Sequence, residues 1–197
     1  MNIKDRLRAV LRAEAEAILA VNVTDAFEQA VLMLKNTEGK VITTGIGKAG
    51  HIAKKFAATL CSTATPADFL HPAEAAHGDL GLVSKNDVIV AFSTSGKSVE
   101  VLEMLELSRH LGVSKIIGIT SHPDSELRGT SDLVLDMGIM DEPCPLGLTP
   151  SATMAVMNAI SDALALALLE EKGVTREEYG LRHHGGYLGR AARIDNT

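Results

Sequence analysis

The sequence predicts an α/β domain: a five-stranded parallel β-sheet flanked by helices on both faces. Three observations predict it. Short β-branched runs alternate with helical apolar patterns. The run at residues 87–92 (DVIVAF) is almost unbroken apolar, as in a strand buried on both faces. Turns rich in Gly or Ser follow two of the strands and open helices.

The elements follow in order. Residues 2–20 carry Ile3, Leu7, Val10, Leu11, Ile18 and Leu19 with charges between, a helix with one packed face. A second helix runs over 23–34, with Thr24 as its N-cap, and Glu38-Gly39 stops it. Residues 40–44 (KVITT) form the first strand, 48–61 a helix and 66–70 the second strand. The third strand is 87–92, followed by a helix at 99–111, a fourth strand at 114–120 and a short fifth at 133–135. A long helix covers 149–172 and ends at Gly173. Asn158, Ser161 and Asp162 interrupt its apolar run, so it reads as a core helix.

Composition narrows the function. The 197 residues are 46% hydrophobic and 22% charged, without repeat or linker, so one domain over 1–197 is expected. Aromatics are 3% and Trp is absent, which leaves no base-stacking platform. The net charge of −6 excludes a broad basic footprint for nucleic acid. Cys61 and Cys144 make no disulfide framework and suit a reducing cytoplasm. Residues 1–23 hold seven charges and no signal-peptide core. No run reaches the ~18 apolar residues of a membrane span, so no membrane partner is expected.

In such sheets ligands bind where loops leave the carboxyl ends of the strands. The loops after strands one, two, three and five are the informative ones. Gly45-Ile46-Gly47-Lys48-Ala49-Gly50 fits the dinucleotide fingerprint, but Lys48 sits in the turn and Asp68 lies inside the second strand. Gly96-Lys97-Ser98 resembles the end of a nucleotide-binding P-loop, yet the required earlier Gly is Ala91. What remains is Ser93-Thr94-Ser95-Gly96-Lys97-Ser98, a hydroxyl-rich loop opening a helix, which suits one phosphomonoester.

Three further segments stand out. His71, Glu74 and His77 have spacings of three and share a helical face about 120° wide. They fit a polar site wall, hydrogen-bonded structural residues or a metal, though no known zinc spacing is present. Prolines stiffen residues 141–151, so Glu142 stands on a fixed backbone, as a site carboxylate or a solvated loop residue. Cys144 between Pro143 and Pro145 has no neighbour expected to lower its pKa. His183-His184-Gly185-Gly186 joins two His to two Gly, as a functional segment or a mobile surface one.

Together these pieces resemble the sugar isomerase (SIS) domain family, most nearly its arabinose 5-phosphate isomerases. The carrying segments are residues 44–51 (TGIGKAGH), 71–81 (HPAEAAHGDLG), 93–100 (STSGKSVE), 144–150 (CPLGLTP) and 183–189 (HHGGYLG), in the family's order. The resemblance implies interconversion of D-ribulose 5-phosphate and D-arabinose 5-phosphate, feeding the sugar Kdo of lipopolysaccharide or capsule, in a cytoplasmic homotetramer. It implies catalytic roles for Lys48, His77, Glu100, Glu142 and His183, and substrate binding by Gly47, Ser93, Ser95, Gly96 and Ser98. In the resembling enzymes the matching His enters a neighbouring subunit's site, so His183 is expected to act across an interface. Family members usually continue into paired CBS modules, for which this chain has no length; their absence is the expectation here. The family's usual Pro after that His is His184, which leaves the choice between His183 and His184 open. Lys97 replaces a small or acidic residue and is expected to add attraction for phosphate.

The chemistry agrees with the resemblance. Aldose–ketose exchange moves a proton between two carbons through an enediol. It needs a base, a cation or acid at the developing oxyanion, and exclusion of water. Glu142 suits the base if burial raises its pKa, Lys48 the enediolate oxygen, and His183 the opening of the aldose ring. The scheme needs no metal, nucleotide or other cofactor. Two alternatives remain: a module that binds a sugar phosphate without turnover, and a related hexulose or heptulose phosphate isomerase.

Overall fold

The computed structural model describes residues 2–193. Its strands are β1 (Val41–Gly45), β2 (Ala67–Phe69), β3 (Val88–Phe92), β4 (Lys115–Thr120) and β5 (Leu133–Asp136). All pair in parallel, in the order β2-β1-β3-β4-β5. The expected sheet is thus present. Its order reverses between β1 and β3, the point where a doubly wound sheet opens a crevice. Gly45 pairs with Phe92 and Phe92 with Ile119. The loops after β1, β3 and β4 therefore leave the sheet side by side.

Among the described residues the helices are α1 (Ile3–Leu19), α2 (Asp25–Lys35), α3 (Gly47–Ser62), α4 (Pro72–Ala75), α5 (Val99–His110), α6 (Glu126–Thr130), α7 (Ala152–Glu171), α8 (Arg176–Arg182) and α9 (Gly186–Arg193). A strand's side chains alternate between faces. Val88, Val90 and Phe92 accordingly meet α2, α3 and α7, while Ile89 and Ala91 meet α4, α5 and α6. Phe92 packs edge-on against Phe56, ring centroids 5.8 Å apart. Truncating such a ring costs about 3–5 kcal/mol. The core helix α7 is long and apolar enough to cross a membrane, yet nine of its residues are buried on the sheet side.

At the edge of the sheet opposite that crevice, Asp87 is 1% exposed. It accepts N–H groups of Lys40 and Ser84, each at 2.9 Å, and the Lys40 ammonium at 3.2 Å. Burial pushes its carboxyl up, and these donors outweigh that and hold it below the usual range. A Cβ on Gly39 would fall on the Asp87 carboxylate, which fixes glycine there.

One element differs from expectation. The stripe of α1 read as packed is bare except at Val10: Ile3, Leu7 and Leu11 are 81%, 59% and 68% exposed. A neighbouring stripe, Arg6, Val10, Ala13 and Ala17, is half-buried, and α1 lies along α7. His183, His184 and Gly185, read as a functional or a mobile surface segment, form a short, mostly exposed link between α8 and α9. A reciprocal cap between Thr175 and Glu178 starts α8, and α9 packs against it.

Candidate active site

The site begins with the loop after β3. Ser93 Oγ accepts the Gly96 N–H at 3.1 Å and lies 3.1 Å from Ser98 Oγ. Ser95 Oγ accepts the Lys97 N–H at 3.3 Å, which leaves its proton for a ligand. Gly96 has φ +63° and sits beneath the β4 loop. A Cβ there would overlap Ser125 Oγ, so both backbone and packing require glycine. The loop then opens α5, whose first N–H groups favour an anion.

The loop after β4 clamps this turn. Ser121 N–H donates to Thr94 O at 3.0 Å, Leu127 N–H to Gly96 O at 3.0 Å, and Thr120 Oγ1 to Thr94 O at 3.2 Å. The loop after β1 approaches from the other side. Gly47 takes φ +60° as the first residue of α3, and Lys48 follows, exposed. Between these loops and the segment after β5 lies a cavity of about 460 Å³. Lys48, Ser93, Ser95, Ser98 and Glu142 all line it. So do Thr94 of the same loop and Ser121 and His122, the last two of which the sequence drew no attention to.

Glu142 is built in differently from expectation. Its Oε2 accepts the N–H groups of Ser151 (2.6 Å) and Ala152 (2.8 Å). Its Oε1 accepts the Thr153 N–H at 3.1 Å and the Thr153 hydroxyl. The carboxylate thus caps α7. Burial pushes its pKa up, but the Thr153 hydroxyl and the three N–H donors together bring it below the ordinary value. The expectation that burial raises it is corrected: the donors saturate the ionised form.

The reading of Cys144 is corrected too. The Thr149 hydroxyl, with the backbone N–H groups of Thr149, Leu148 and Leu146, brings its thiol down to about 6. The tight loop, not an added charge, supplies the stabilisation.

Other residues fall outside the cavity. His77 and Glu100 are exposed, one beyond the end of α4 and one in the first turn of α5, and neither lines it. The helical face expected for His71, Glu74 and His77 does not form, because α4 spans only four residues. His183 ends α8 outside the lining, stacked on Tyr179 with centroids 4.0 Å apart. Its Nδ1 lies 3.0 Å from Tyr179 O. Lys97, expected to attract phosphate, instead pairs with Asp124 at 3.0 Å and does not line the cavity. Gly96 contributes its shape beneath the loop.

A doubly wound parallel sheet with a hydroxyl-rich loop and a cavity at its switch point defines an α/β domain with a candidate ligand site there. The model of the SIS domain matches residues 33–167, and the chain belongs to that family. A curated relative is the arabinose 5-phosphate isomerase KdsD of Pseudomonas aeruginosa. It is 43% identical over 180 residues, 91% of this chain and 55% of the relative. The chain spans about half the length of the curated relatives it matches. Two solved structures are similar over their whole length. One is described as a proposed phosphosugar isomerase involved in capsule formation from Bacteroides fragilis, 43% identical, TM-score 0.90, covering 94% of this chain. The other is Escherichia coli CFT073 c3406 in complex with arabinose 5-phosphate, 38% identical, TM-score 0.87, covering 93% of this chain.

Proposed function

We propose that this domain is an aldose–ketose isomerase that interconverts D-ribulose 5-phosphate and D-arabinose 5-phosphate. The observation that carries the reading is the likeness to c3406, whose structure holds arabinose 5-phosphate, over 93% of this chain. The identity to the KdsD isomerases supports it. The cavity suits the chemistry, since its volume lies in the usual range for small-molecule sites.

The phosphate rests on Ser95, Ser98 and the N–H groups opening α5, with Gly47 and Gly96 keeping the two turns tight. The reacting carbons then lie toward Lys48 and Glu142. Glu142 takes the proton from the carbon beside the carbonyl and returns it to the neighbouring carbon, while a proton passes between O1 and O2. As a saturated carboxylate it is a weak base. The reaction therefore relies on Lys48, whose cation stabilises the enediolate oxygen and so acidifies the carbon proton.

One chain supplies no histidine from the C-terminal helices to its own cavity. We assign that part to a neighbour in a homotetramer: His183 enters to open the aldose ring, and His77 and Glu100 complete the wall. The bare stripe of α1 supports assembly, as does an apolar groove of about 620 Å³ between α1, α2 and α7. The enzyme acts in the cytoplasm and supplies Kdo synthesis. Incubation of pure protein with ribulose 5-phosphate, followed by separation of the pentose phosphates, tests the reading. Arabinose 5-phosphate is the expected product. Tight binding without product would make the domain a sensor.

A further inference from the structure

We propose that Arg6 is a positioning residue for Glu142, a strap from α1 that holds the backbone carrying the carboxylate. The inference rests on Glu142 acting as the base, as in the isomerase reading. Residues 139–150 form neither helix nor strand. Pro143, Pro145 and Pro150 have no N–H to donate, so the segment has few ways to be tied down. Among the described residues, its hydrogen bonds to the rest of the chain are made at Glu142 and Pro143. The Glu142 carboxylate accepts from Ser151, Ala152 and Thr153. The Pro143 carbonyl accepts from Arg6 Nη2.

The first tie fixes the side chain, and the second fixes the main chain one residue on. Pro143 also confines Glu142 to extended backbone. With the Pro143 carbonyl held, the segment cannot swing about the carboxylate as a pivot. Arg6 suits this task. It belongs to the half-buried stripe of α1, and α1 lies along α7, the helix that Glu142 caps. Strap and cap therefore come from one packed pair of helices. The Arg6 guanidinium forms no ion pair among the described residues, so no carboxylate competes for it. A charged donor makes a hydrogen bond about twice as strong as a neutral one does. Arg8, two residues on, is exposed and pairs with Asp5 at 3.3 Å, which makes it a control on the same helix.

The test compares wild type, Arg6→Ala, Arg6→Lys and Arg8→Ala, with melting curves to confirm folding. With ribulose 5-phosphate, Arg6→Ala should lose about tenfold in kcat while KM stays near that of wild type, because a displaced base slows the chemistry and leaves the phosphate contacts intact. Arg6→Lys keeps a charged donor and should recover part of the loss, and Arg8→Ala should behave as wild type. The second readout needs no substrate. The amide hydrogens of Ser151, Ala152 and Thr153 are bonded to the Glu142 carboxylate, so their exchange with deuterium reports its position. In Arg6→Ala that exchange should rise toward the rate in Glu142→Ala, and in Arg8→Ala it should stay at the wild-type rate. A change in KM rather than kcat, an equal loss in Arg8→Ala, or unchanged exchange at these three amides overturns the proposal. If wild type does not turn over ribulose 5-phosphate yet the exchange depends on Arg6, the isomerase reading falls and the strap stands. Full turnover in Arg6→Ala leaves that reading in place and removes the strap.

Discussion

The carboxyl edge of the sheet and the two ends of the chain are built to different standards. At the sheet edge, the segments after β3 and β4 are tied to one another by backbone hydrogen bonds, and Gly96 and Ser93 are buried. At the ends, α1 presents Ile3, Leu7 and Leu11 to solvent, and α8 and α9 expose Leu181, Tyr187 and Leu188. The rim of the cavity shares this character, with Ile139, Leu146 and Leu148 more than three-quarters exposed. The difference suits the proposed reading, in which one chain holds the phosphate half of a site and a second copy supplies the rest.

The sharpest way to break this contrast is complementation. Lys48→Ala and His183→Ala proteins should each lose about 100- to 1,000-fold in kcat. Refolded together, they should form some interfaces pairing an intact Lys48 with an intact His183, and activity should return. Hybrids verified by mass that stay as inactive as their parents would confine the site to one chain.

Glu142→Gln comes next. The amide keeps the shape and loses the basicity, so exchange of the substrate carbon-bound proton with deuterium should cease. Persisting exchange moves the base to Glu100 or a histidine. The same change weakens the α7 cap by about 0.5–2 kcal/mol. Because the folded carboxylate titrates below its ordinary value, this stability is fully present above about pH 4.5. It fades as the pH falls through the folded value, so melting curves of the two proteins should converge in acid.

Paired Leu7→Glu and Leu11→Glu changes should dissociate the assembly in sedimentation while far-UV dichroism stays unchanged. Intact assembly would clear the α1 stripe of this role. Ser95→Ala should raise KM about tenfold, the worth of one hydrogen bond to a charged group. An unaltered KM would place the phosphate elsewhere. The smallest effect concerns Cys144. Its alkylation rate, followed by peptide mass, should rise through a midpoint near pH 6, and Thr149→Val should move that midpoint upward.

Much of this was legible in the residues. The five strands sit where β-branched runs predicted them, and Thr24 occupies the N-cap of α2. The 93–98 loop and Lys48 meet as their place after β1 and β3 requires. His122 was missed although the rule for carboxyl ends reaches β4 as well; its Ser-His-Pro-Asp-Ser run is an ordinary turn composition and draws no notice. The saturation of Glu142 was hidden for another reason. Its partners at 151–153 lie nine to eleven residues away, and only the path of the loop brings them to the carboxylate. The stripe of α1 has the right period, but periodicity marks an apolar face and does not say that the fold buries it.

The place of α7 in the chain has a consequence for synthesis. The sheet is complete at Asp136, yet the helix that roofs one of its faces begins only at Ala152. While the ribosome works through that interval, Val90, Phe92, Ile117 and Ile119 lack the side chains of Val156, Met157, Ile160 and Leu164 that cover them in the finished core. The nascent domain is therefore at its stickiest just before its last core helix emerges. A fragment cut at residue 151 should precipitate when expressed, and supplying residues 152–193 in trans should rescue part of it.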